Sequence, residues 1–109
     1  MDYNYYLYYG ISLHDGEGSS FTIGYSADPR RRSYEKHMTV VWMKGYRTKA
    51  EVLEAEKAIL DYCNDTYDHS YVCYGAWEMT EYAMNRGWDW FLISEDQEGP
   101  LLVIKEMLK

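Results

Sequence analysis

The side chains in this chain that could do chemistry fall on two predicted helices. Arg30-Arg31-Arg32 follow directly on Asp28-Pro29. Asp accepts from the free N–H groups of a first helical turn, and Pro at the first helical position loses no hydrogen bond, so the arginines open a helix. On that helix Arg32 shares a side with Asp28 and Lys36, whereas Arg30 leads a line through Tyr34 towards His37 and Met38. The second candidate is Glu56, whose neighbours at three and four residues are Val52, Leu53, Ile59 and Leu60. A carboxylate on an apolar stripe must find a cation or a metal, because an unpaired buried charge is expensive.

These residues need elements to hold them. Residues 3–13 are rich in Tyr and read as a strand, 14–20 as a turn by composition, and 20–26 as a strand forming a hairpin with the first. Gly24 reads as a turn residue where the second strand ends. A first helix is expected from Pro29 to Met38, then an apolar connector Val40-Val41-Trp42-Met43 ending at Lys44-Gly45. Thr48-Lys49-Ala50-Glu51 is a capping box that opens a second helix to Cys63, with Val52, Leu53, Ala55, Ile59, Leu60, Tyr62 and Cys63 as its buried stripe. Residues 70–74 read as a third strand and Ala76–Arg86 as a third helix stopped by Gly87. The β-prone runs 88–94 and 101–107 predict an added C-terminal hairpin, with a helix as the alternative for the last run. The expected fold is α+β, one domain over 1–109, with a small antiparallel sheet flanked by helices.

The order of these features resembles the GIY-YIG nuclease superfamily. The residues that carry the resemblance are Tyr6-Leu7-Tyr8-Tyr9-Gly10-Ile11, then Thr22-Ile23-Gly24, then Ser26-Ala27-Asp28, then Arg32, and the match spans roughly residues 3–63. The small phage and mobile-element branch is the nearest in pattern. The resemblance implies a GIY-YIG-like fold and metal-dependent hydrolysis of phosphodiester bonds in nucleic acid. Tyr8 would activate or orient water, Arg32 would hold the phosphate, and Glu56 would bind one Mg²⁺ as a hard oxygen ligand. His37 stands beside the family's His or Tyr slot, which Lys36 occupies. The second-strand tyrosine slot holds Thr22, whose hydroxyl is far less acidic than a phenol. Thr22, Gly24, Arg30 and Tyr34 would line the substrate side, and Asn85 falls by position near the family's late polar residue.

Composition narrows the partners. With 18 Asp and Glu against 11 Lys and Arg, the net charge of −7 is the wrong sign for non-specific attraction to a polyanion. The cations Arg30, Arg31, Arg32, Lys36, Lys44, Arg47 and Lys49 nevertheless fall close together and predict one basic face on an acidic body. Cys63 and Cys73 lack metal-ligand or disulfide-framework spacing and read as reduced thiols. No apolar run is long enough for a membrane span, and the N-terminus lacks signal-peptide character, so a cytoplasmic protein with no membrane partner is expected. The departures at Thr22 and Lys36 set a second function beside the nuclease. It is a catalytically inactive relative that sequesters a small nucleotide or binds a protein partner, in the manner of phage counter-defence, with no cofactor. A third is an interaction module built on Trp77, Trp88, Trp90 and Phe91.

Overall fold

A computed structural model describes residues 3–12, 20–36, 38–68, 90–93 and 100–109 of the 109-residue chain. Over these residues the fold is α+β, with strands β1 (Tyr5–Ser12), β2 (Ser20–Ser26), β3 (Met38–Tyr46) and β4 (Trp90–Leu92) and helices α1 (Pro29–Lys36), α2 (Lys49–Thr66) and α3 (Pro100–Met107). The strands form one antiparallel sheet in the order β3-β1-β2-β4.

The expected hairpin is β1–β2, and its register sets Tyr8 opposite Gly24 and Gly10 opposite Thr22. Gly24 lies inside β2 and is not the turn residue expected. A Cβ there would come within 2.7 Å of Tyr8 Cζ, so the glycine is required by the phenol lying across it.

The expected connector at 40–43 is instead part of β3, the outer neighbour of β1. Its alternation is broken because a bulge separates the pairs Tyr9–Trp42 and Gly10–Val40, leaving Val41 as the extra residue. Before the bulge, Met38 and Val40 share the face of Tyr8. After it, Trp42 and Tyr46 join the face of Leu7 and Tyr9. For the same reason α1 ends at Lys36, and Met38 belongs to β3 rather than to the helix.

The helix starts follow the sequence. Arg31 N–H donates to Asp28 Oδ1 at 3.2 Å, and Asp28 N–H donates to Ser26 Oγ at 2.9 Å. Thr48 Oγ1 accepts from Glu51 N–H at 3.2 Å, while the Glu51 carboxylate receives the Thr48 hydroxyl at 3.0 Å. The second helix runs past Cys63 to Thr66. The run 101–107 takes the helical alternative and not the hairpin strand, forming α3 with Pro100 at its start and Ile104 buried. Lys44 Nζ donates to the Leu108 carbonyl, where a cation suits the negative end of the helix dipole, and Lys105 Nζ lies 5.9 Å from the Trp42 ring centroid. The strand expected at 70–74 and the helix expected at 76–86 lie outside the described residues.

The main core is the face of the sheet covered by α2. Leu7, Tyr9, Phe21, Ile23 and Phe91 pack there with Val52, Ile59, Cys63, Tyr67 and Ile104. Phe21 is its hub, stacked on Tyr9 at 5.1 Å, tilted against Phe91 at 5.5 Å and edge-on to Tyr67 at 5.2 Å between ring centroids. Trp90 and Phe91 are both core residues and not the exposed interface anchors expected of them, whereas Trp77 and Trp88 lie outside the described residues. No helix among the described residues is long and apolar enough to cross a membrane.

Candidate functional site

The sheet divides the candidate residues between its two faces. Side chains alternate along a strand, so if Leu7 and Tyr9 point into the core under α2, Tyr8 must point the other way. It does, forming a second, smaller cluster with Met38 and Trp90, flanked by Val40. Tyr8 is only 2% exposed. Its ring fills the place left open by Gly24, so the phenol is a packed side chain with its own interactions, not one presented to solvent. Thr22, between Gly10 and Trp90 in the sheet, is fully buried and likewise engaged.

Glu56 belongs to the other face. Val52, Ile59 and Cys63 mark the buried line of α2, and Glu56 lies within that line, half-buried and partnered as a carboxylate in that position must be. Leu53, expected in the stripe, turns to solvent. The structure therefore sets Glu56 on the side of Leu7 and Tyr9, with the sheet between it and Tyr8. Among the described residues no group of three His, Cys, Asp or Glu gathers around a common point. Magnesium held by Glu56 alone would need substrate phosphate beside it, and Glu56 and Tyr8 lie on different faces of the sheet.

What the Tyr8 face does carry is an open groove of about 460 Å³ between α1 and β3. Its α1 wall is Pro29, Arg30, Ser33 and Tyr34, and its strand side includes Met38, Val40 and Met43. Ser33 Oγ donates to the Arg30 carbonyl at 2.6 Å, which ties the two polar residues of the wall together. The groove separates Arg32, to which the motif count assigned the phosphate, from Arg30, which was held in reserve for it. Arg30 is exposed on the wall, and its guanidinium has no hydrogen-bond or ion-pair partner among the described residues. Arg32 is half-buried, already engaged, and does not line the groove. Tyr34, one helical turn from Arg30, is 77% exposed. His37 and Asn85 lie outside the described residues. Lys44, counted with the basic run, is diverted to the Leu108 carbonyl on the side of α3.

The missed groove residues are Pro29 and Ser33 on the helix wall and Met38, Thr39, Val40 and Met43 on the strand side. The signal for them was the apolar run 38–43 itself, which needed to be seen as a strand lying alongside the arginine helix. Compared with protein-family models, curated proteins and solved structures, the chain matches none.

Proposed function

We propose that this chain is a binding protein for a small phosphorylated ligand, held in the α1–β3 groove with its phosphate on Arg30 and released unchanged. The observation that carries this reading is an exposed guanidinium on the wall of an otherwise mostly apolar groove, in a protein of net charge −7. A mostly apolar concavity with a few placed polar groups is the usual build of a small-molecule site, and its volume falls in the usual range of about 300–1,000 Å³. The first turn of α1 holds no acidic residue, so nothing there competes with an incoming anion beyond the capping Asp28. Catalysis is disfavoured by the burial of Tyr8 and by the sheet between it and Glu56.

The metal-dependent nuclease of GIY-YIG type is the second reading, favoured by the β1–β2 hairpin leading straight into α1 with Tyr8 paired to Gly24. One experiment separates them: incubation of the purified protein with plasmid and oligonucleotides in Mg²⁺ or Mn²⁺, beside calorimetric titration with nucleoside monophosphates. Binding without cleavage, lost in Arg30→Ala, supports the binding protein. Cleavage abolished by Glu56→Gln would establish the nuclease and overturn it.

A further inference from the structure

We infer that the ligand of the groove is a nucleotide whose base stacks on Tyr34, the base setting selectivity while the phosphate is held at Arg30. This rests on the binding reading above and adds the chemical class of the ligand. Three observations carry it.

Tyr34 is a large aromatic left 77% exposed on the groove wall, whereas Tyr8, Tyr9 and Tyr67 of the described chain are buried. An exposed ring beside a concave surface is a platform for another flat ring, and base–aromatic stacking is tolerant of base identity. The strand side adds Met43, half-exposed, whose thioether is an adaptable partner for an aromatic ring. Finally, Arg30 and Tyr34 are four residues apart on one helix, so their Cβ atoms are neighbours about 5–6 Å apart and their long side chains can engage points farther apart still. That is the order of separation between a 5′-phosphate and its base. Charge agrees, because the groove presents a cation and no carboxylate among its lining residues.

Neither substitution in the test threatens the fold, since Tyr34 and Arg30 are both exposed. The wild-type protein is titrated with AMP, adenosine, ribose 5-phosphate and inorganic phosphate, followed by calorimetry. AMP should bind at least about tenfold tighter than ribose 5-phosphate, the contribution of one stacked base. Tyr34→Ala should bring AMP down to the level of ribose 5-phosphate without changing the latter or the thermal midpoint, and Tyr34→Phe should keep the preference. Arg30→Ala should weaken AMP and ribose 5-phosphate but leave adenosine unaffected. Equal binding of AMP and ribose 5-phosphate, or a preference that survives Tyr34→Ala, overturns the base assignment and leaves the phosphate reading standing. Absence of binding by all four probes overturns both.

Discussion

The two faces of this sheet are built from the same strands and differ in almost everything else. Towards α2, odd positions of β1 and β2 supply Leu7, Tyr9, Phe21 and Ile23, and the rings gather around a fully buried Phe21. Towards α1, even positions supply Tyr8, Gly10, Thr22 and Gly24, where bulky and absent side chains alternate across the strands. Met38 lies over Gly10 and Tyr8 over Gly24, so this face is assembled by fitting large side chains onto bare backbone. The first arrangement supplies stability, while the second leaves space beside a short helix. A period of two lets one strand serve both purposes, because a residue and its successor never compete for the same environment.

The contrast can be broken from either side. The largest effect is expected at Phe21→Ala, which removes the ring at the hub of the main core and should cost about 3–5 kcal/mol in urea unfolding. A loss below about 1 kcal/mol would mean that the ring cluster is not the stabilising centre. On the other face, Gly24→Ala sets a methyl against Tyr8 and should cost about 1–3 kcal/mol through overpacking. Shrinking the opposing ring by Tyr8→Leu in the same chain should recover part of that loss. Additive losses in the double mutant would show that the two residues are not in contact.

A smaller effect sharpens the comparison through pH. Burial in the main core pushes the Cys63 thiol up from near 9 to about 12 and also raises the phenols of Tyr9 and Tyr67, the latter hydrogen-bonded with Tyr62. Below pH 9 folded and unfolded thiols are both protonated, and the contribution is fully present. Above it the unfolded chain releases a proton that the folded chain keeps, so stability falls until the folded value near 12 is passed. The slope should approach about 1.4 kcal/mol per pH unit for this group. Between pH 9 and 10, before the tyrosines contribute, Cys63→Ala should flatten it. A slope unchanged by that substitution would place the thiol in contact with water.

What the sequence made legible was the part governed by local chemistry. The Asp28-Pro29 start of α1, the Thr48 and Glu51 cap of α2 and the alternation of β1 and β2 each depend on a few adjacent residues, and each was readable. β3 was misread because the extra residue at Val41 removes the alternation by which a strand is recognised, leaving a plain apolar run. Leu101-Leu102-Val103-Ile104 favours strand by residue type, but the helix is marked by Pro100 and by Leu101, Ile104 and Leu108 turning to one side. For the site, the spacing of Arg30 and Tyr34 was visible, whereas the separation of Tyr8 from Glu56 was not. Glu56 was read correctly as a carboxylate within an apolar line, whereas Gly24 and Leu53 were misread. Which face of the sheet α2 would cover is settled only by the assembled fold.

The bulge in β3 gives that strand two sets of substitution rules. Up to Val40 the even positions answer to the groove side, and from Trp42 onward the even positions answer to the main core. A positional scan of β3 would therefore show a tolerance profile whose phase reverses in the middle of an unbroken strand. Val41 belongs to neither set: its side chain is exposed, and its removal would close the bulge into regular pairing while every other residue of the strand kept its face.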